Sequence, residues 1–311
     1  MTVLLVVLAF SFAWSIGSHY TGACMGMPYA LGAISARAAL LLMAPLALLG
    51  AALASGKVAQ TVGRKLIDAT PTRLGEVVVI AVAFGVTAVY NRIRIPTSTI
   101  QILVGAVVGA AAAASAGVHW RTILTLVAIW VAAPFAAALI GFVGGKTLGS
   151  VTRVGAALVL VGALASFAMG ANDVALASGA LVGPDVLSAR QAAVLCGFGI
   201  ALGVLLTGRG LLDRVAFDIV DVDRVTATTA QLVQALVILV AVSFGYFTSM
   251  NQALVGAMAG AGAARGRHAV HTKNLLGIVR GWVTGPPTAF LLALVAALLV
   301  RAVGGASALV R

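Results

Sequence analysis

The chain has 311 residues, of which 61% are apolar and only 9% charged, against about 45–50% and about 25% in an ordinary soluble domain. So few charges exclude a water-facing surface of normal extent and point to an integral membrane protein built from helices. Lys and Arg outnumber Asp and Glu by 20 to 8, a balance that raises nucleic acid as a partner. Most of the basic residues, however, stand in short gaps between apolar runs (Lys57, Arg64, Lys65, Arg73; Arg92, Arg94; Arg265, Arg267, Lys273), where they anchor helix ends at lipid headgroups. Nucleic acid is set aside on that ground.

From the N-terminus, the apolar run 2–16 has no basic leader and no small-residue cleavage signal before the next run. It reads as a retained first helix rather than a secretory signal peptide. Further apolar stretches cover 20–34, 36–54, 76–91, 97–117, 122–144, 154–169, 174–187, 189–207, 229–245, 252–264 and 283–303. Several fall short of the ~20 residues that cross hydrocarbon. Short or interrupted runs at matching places in two halves predict an all-α membrane protein with broken helices or re-entrant hairpins around a midplane site. The 36 glycines suit helices in close approach within lipid. Cys24 and Cys196 lie inside apolar runs and read as small buried hydrophobes, with neither a disulfide framework nor a metal cluster indicated.

The chain repeats itself. A shift of 151 lays Thr97–Ala113 on Thr248–Ala264 with 11 of 17 positions identical, the shared pattern being T-S-x-x-Q-x-L-V-G-A-x-x-G-A-x-A-A. A shift of 153 lays Gly17–Leu53 on Gly170–Leu206 with 10 of 37 identical. One ancestral unit, duplicated, gives a first membrane repeat over 1–150 and a second over 151–311. The polar connections 55–75 and 208–228 hold four and three Lys/Arg respectively, a difference too small for the positive-inside rule to set orientation, since Asp213, Asp218, Asp221 and Asp223 scarcely count.

Two constellations carry chemistry. In Gly170-Ala171-Asn172-Asp173-Val174-Ala175 the Asp173 carboxylate stands inside an otherwise apolar run, where a lone Asp costs about 3 kcal/mol at the bilayer centre unless paired, hydrated or protonated. It is a candidate cation or proton site; the plainer reading is a cap on a half-helix beginning near Asn172. The paired Thr97-Ser98 and Thr248-Ser249 motifs look like helix starts, the first after Pro96 and the second after Phe247. Free N–H groups, hydroxyls and the positive end of the helix dipole make such starts anion sites. The sequence lacks H-E-x-x-H, G-x-S-x-G, a Walker motif and a G-x-G-x-x-G junction. His119, His268 and His271 lie in connections, and only His19 lies among membrane residues.

The Gly170–Ala175 run resembles the G-A-N-D-V-A-N signature of the inorganic phosphate transporter (PiT) family, and the resemblance extends over nearly the whole chain. The family's second motif, P-x-S-T-T/S-H-x-L-V-G-A, is matched at Pro96–Ala106 and again at Phe247–Ala257, and Trp130/Pro134 and Trp282/Pro286 resemble its tryptophan-proline helix. The resemblance implies inverted-topology repeats, a homodimer in the cell membrane, and cation-coupled symport of a tetrahedral oxyanion, phosphate by default, without enzymatic activity or cofactor. Asn172 and Asp173 fall on positions for substrate or coupling cation, with sodium or a proton at Asp173. Thr97, Ser98, Thr99, Thr248 and Ser249 fall on the hydroxyl motif, Gln101 and Gln252 replace its histidines, and Met250 and Asn251 replace its threonines.

In the first repeat Gly17-Ser18-His19-Tyr20-Thr21-Gly22-Ala23 stands where the family has the signature, so His19 replaces Asn and Tyr20 replaces Asp, leaving Asp173 as the intramembrane acid. Leu176 replaces the last Asn of the second signature. Both first-repeat changes add donors, which favours sulfate, an acceptor-only anion. Gly26-x-x-Tyr29-x-x-Gly32-Ala33-Ile34 is similar to the family's sulfate permease branch. Sulfate thus stands beside phosphate, ahead of an anion channel or an intramembrane enzyme.

Overall fold

The computed structural model describes residues 1–92, 97–147, 154–212, 223–266 and 272–311, the side chains of 91, 154–156 and 272–278 excepted. Pro96, Arg94, Arg267, His268, His271, Asp213, Asp218 and Asp221 lie outside the described residues. The helices are α1 (Thr2–His19), α2 (Met27–Ala30), α3 (Ala36–Ala54), α4 (Gly56–Arg64), α5 (Arg73–Arg92), α6 (Thr99–Ala114), α7 (Trp120–Thr147), α8 (Val154–Val182), α9 (Ala189–Thr207), α10 (Arg224–Ser243), α11 (Met250–Ala263) and α12 (Thr272–Gly304). Eight helices among the described residues are long and apolar enough to cross a bilayer, and the chain is a multi-pass membrane protein. α6 and α11, of 16 and 14 residues, rise only about 24 and 21 Å at 1.5 Å per residue. They are shorter than the hydrocarbon is thick.

One expected break is absent and one is present. The runs 154–169 and 174–187 belong to a single helix, α8, because Asn172 and Asp173 project their polar groups sideways without interrupting the backbone. Asp173 is therefore no helix cap. The runs 2–16 and 20–34 share one span over Thr2–Ala30, broken at Tyr20 and continued by a π-helical turn over Gly22–Gly26 that leads into α2.

The sequence repeat is reproduced in packing, and each half interlocks with the other. α3 lies on α8 as α1 lies on α9, and α6 lies on α12 as α11 lies on α7. Glycines set these contacts. A Cβ on Gly170 would strike the Ala47 carbonyl and one on Gly50 that of Phe167; the counterparts are Gly17 on Ile200 and Gly203 on Trp14. Gly105 and Gly109 meet the carbonyls of Pro286 and Phe290, as Gly256 and Gly260 meet those of Pro134 and Ala138. Every member of these sets is related to its counterpart by a shift of 151 to 153 residues. Side chains this small let backbones touch in lipid, where dispersion and weak polar contacts hold helices together. Gly50→Leu and Gly203→Leu should therefore be equally damaging. Each is expected to abolish the monodisperse peak in detergent size-exclusion chromatography, while Gly85→Leu, where nothing lies within 4 Å of the added atom, should leave it intact.

Outside the core, exposed ion pairs join Arg64 to Asp185 and Arg265 to Asp223. His119 is half exposed and its Nδ1 lies 3.0 Å from Asp68 Oδ1.

Candidate functional site

α6 and α11 start in the same way. Ser98 and Ser249 have extended backbones and act as N-caps, their Oγ atoms accepting from the N–H groups of Gln101 and Gln252, both at 3.4 Å. An N-cap serine accepts through oxygen and keeps its own hydrogen free to donate. The two starts come together: Asn251 Nδ2 donates to the Thr97 carbonyl at 3.3 Å, and one turn further in Gln101 Nε2 donates to Gln252 Oε1 at 3.4 Å. Thr97, Ser98, Thr99, Thr248 and Ser249 are all fully buried.

The signature of α8 locks onto one of these starts. Asn172 reads the backbone of Thr248 in both directions, its Nδ2 donating to the carbonyl at 2.9 Å and its Oδ1 accepting from the N–H at 3.2 Å. Asn172 Nδ2 also donates to Asp173 Oδ2 at 3.0 Å. Asp173 is completely buried; among the described residues its Oδ1 has no hydrogen-bond partner, and Thr248 Oγ1 has none either.

On the first-repeat side, His19 and Tyr20, which the sequence overlay sets against Asn172 and Asp173, lie at the starts of α11 and α6. Tyr20 is fully buried and its hydroxyl lies 2.8 Å from Thr99 Oγ1, the first residue of α6. It also lies within the electrostatic reach of Asp173. His19 packs edge-on to the Tyr20 ring at 4.8 Å, with its Nε2 3.3 Å from Asn251 Nδ2. Thr97 Oγ1 donates to the Gly281 carbonyl of α12 at 3.3 Å. Thus His19, Tyr20, Thr97, Ser98, Thr99, Asn172, Asp173, Thr248, Ser249 and Asn251 form one connected cluster, buried except for the half-buried His19. Gln101 and Gln252 sit behind it, at the floor of an apolar cleft of about 450 Å³ walled by Trp130, Pro134 and Trp282.

Sequence reasoning missed three groups. Gln231 and Gln234 of α10 are both fully buried; Gln234 Nε2 donates to the Met250 carbonyl at 3.4 Å. Two amides in an otherwise apolar span are the kind of signal that marks a pathway. Glu76 is a second carboxylate buried in the helical bundle besides Asp173. It is 7% exposed in the first turn of the α5 span and forms no salt bridge among the described residues. Its place at the edge of an apolar run made it look like a boundary. Trp130 Nε1 donates to the Phe247 carbonyl at 3.1 Å, so the tryptophan-proline helix holds the turn into α11. No group of three or more potential metal-ligating His, Cys, Asp or Glu side chains occurs among the described residues.

The arrangement offers an anion two helix N-termini with hydroxyl donors, and offers a cation or proton an acceptor-rich corner at Asp173. The sulfate permease CysP of Bacillus subtilis is 28% identical over 92% of this chain and 84% of its own length. A probable low-affinity inorganic phosphate transporter of Mycobacterium tuberculosis is 29% identical over 98% of this chain and 79% of its own. The fold is that of a solved structure, the sodium-dependent phosphate transporter, with a TM-score of 0.89 and 23% identity over 97% of this chain and 99% of that one. The sequence profile of the phosphate transporter family matches twice, over residues 16–153 and 146–293, and the chain belongs to that family.

Proposed function

We propose that this protein is a secondary active symporter that takes up a tetrahedral inorganic oxyanion, phosphate in the first instance, driven by a cation gradient. The observation that carries the reading is the meeting of the Ser98 and Ser249 helix starts beside the buried Asp173. Backbone N–H groups at the starts of α6 and α11, with the hydroxyls of Ser98, Thr99 and Ser249, suit an oxyanion held without a basic side chain. Thr97, Thr248, Asn172, Asn251, His19 and Tyr20 hold these donors in place or add to them, and Gln101 bridging Gln252 ties the two helices one turn behind.

Asp173 supplies the coupling. An ionised carboxylate repels the anion in a low-dielectric site, so a proton on Asp173, or sodium beside it, strengthens anion binding, and by linkage the anion strengthens cation binding. Asp173 Oδ1 and Thr248 Oγ1, without a hydrogen-bond partner among the described residues, suit a hard cation that seeks oxygen ligands. The two repeats, 1–150 and 151–311, are read as inverted, with alternating access around their shared site, and the working unit as a homodimer in the cell membrane with lipid around it.

Sulfate is the second reading, favoured by the Tyr20 hydroxyl on Thr99 where a carboxylate would accept a phosphate proton. Uptake of radiolabelled phosphate and sulfate into proteoliposomes under imposed proton or sodium gradients tests both. Accumulation of one anion above equilibrium under one gradient is expected; flux that only follows the anion's own gradient would indicate a channel. Ser98→Ala and Ser249→Ala should each raise the KM by about tenfold or more, since a hydrogen bond to a charged group contributes about 1.5–3 kcal/mol. Equal affinity in both variants would reduce the motif to helix packing.

A further inference from the structure

The first membrane span carries Pro28 in its helical continuation, α2. Proline has no amide hydrogen, so the carbonyls four and five residues before it, Cys24 and Ala23, lose the donor that an α- or π-turn would provide. Both belong to the buried π-helical turn Gly22–Gly26, in an apolar span where an unpaired carbonyl is costly. Gln231 reaches across from α10. Its Nε2 donates to the Cys24 carbonyl at 2.6 Å and to the Ala23 carbonyl at 3.4 Å, and its side chain is fully buried.

The repeat-related contact has neither partner. The shift of 153 that pairs the first spans sets Leu181 opposite Pro28, within the unbroken α8. The shift of 151 that pairs α5 with α10 sets Ile80 opposite Gln231. The break and its donor, one from each half, therefore occur together at one of the two repeat-related contacts and are lacking together at the other. The residues just before the π-turn are His19 and Tyr20, which meet Asn251 and Thr99.

We infer that Gln231 is a positioning residue: its side-chain amide, supplied by the other repeat, replaces the hydrogen that Pro28 lacks and holds the first span in the bent form that presents His19 and Tyr20 to the starts of α11 and α6. The effect on anion binding rests on the function proposed above; the repair of the backbone does not. Gln231 differs in this from Gln234, whose amide serves the Met250 carbonyl.

A mutant cycle on the full chain separates the roles, using the residues found at the repeat-related positions, Ile80 and Leu181. Gln231→Ile, Pro28→Leu and the double variant are reconstituted, and each is measured for anion KM and for amide hydrogen exchange over residues 20–31. Gln231→Ile alone should speed exchange and raise the KM about tenfold, the effect of leaving a buried carbonyl unpaired. In the Pro28→Leu background, where the backbone supplies its own hydrogen, adding Gln231→Ile should change both readouts by less than about twofold. If Gln231→Ile fails to accumulate as folded protein, its recovery on adding Pro28→Leu is the expected rescue. Equal damage in both backgrounds, or none in either, overturns the assignment. A wild type that takes up neither anion defeats the function proposed above while the exchange cycle still reads the backbone role.

Discussion

Asp173→Asn should reduce gradient-driven uptake to background while leaving the protein folded. The carboxylate is completely buried in the middle of α8, and no basic side chain forms a salt bridge with it among the described residues. One oxygen accepts from Asn172 and, among the described residues, the other has no hydrogen-bond partner. A group held at such a cost in the interior of a span contributes nothing to packing that an amide of the same shape could not. Because α8 runs unbroken through this position, the substitution disturbs no helix cap. It removes the charge alone, and with it the dependence of anion binding on a neutralising cation. Uptake under imposed proton and sodium gradients, with thermal stability in detergent as the control for folding, checks this. Unaltered uptake kinetics in the purified variant would discard Asp173 as the coupling residue.

The site was legible where polar side chains recur at the same offset in apolar surroundings. Thr97-Ser98 and Thr248-Ser249 announced two equivalent helix starts, and both serines are N-caps with the same acceptor distance. The 153-residue overlay set His19-Tyr20 against Asn172-Asp173, and both pairs lie in the one cluster, His19 half-buried and the other three buried. What stayed hidden was whether polar residues interrupt a helix. Asn172 satisfies itself on the backbone of Thr248, a partner 76 residues away, so α8 needs no break, whereas Pro28 removes a hydrogen and does need one. Composition treats the two alike. The role of Gln231 was equally hidden, because its value depends on a proline in the other half of the chain. Glu76 escaped notice because a charge at the end of an apolar run resembles an interface anchor until its burial is seen.

Tyr20→Asp should turn anion choice toward phosphate. In the wild-type protein the Tyr20 hydroxyl, 2.8 Å from Thr99 Oγ1, joins two hydroxyls at the start of α6; one donates to the other, and the second hydrogen can turn to an anion or to Asp173. Such a pair suits a fully deprotonated dianion such as sulfate, which offers only acceptors. A carboxylate in the same place, across from Asp173, adds repulsion and an unmatched acceptor against sulfate. Phosphate near neutral pH keeps a proton that the new carboxylate can accept. With a charge-assisted hydrogen bond contributing about 1.5–3 kcal/mol, the sulfate-to-phosphate affinity ratio should fall about tenfold or more. Tyr20→Phe, which keeps the ring against His19 and removes only the oxygen, should weaken both anions and leave their ratio near that of the wild type. The pair of variants separates the donor's contribution from the aromatic packing at the helix break. Competition uptake assays on wild type, Tyr20→Phe and Tyr20→Asp give the ratio directly. If Tyr20→Asp is folded and active with the ratio unchanged, Tyr20 serves only to fill the break before the π-turn and has no part in choosing the anion.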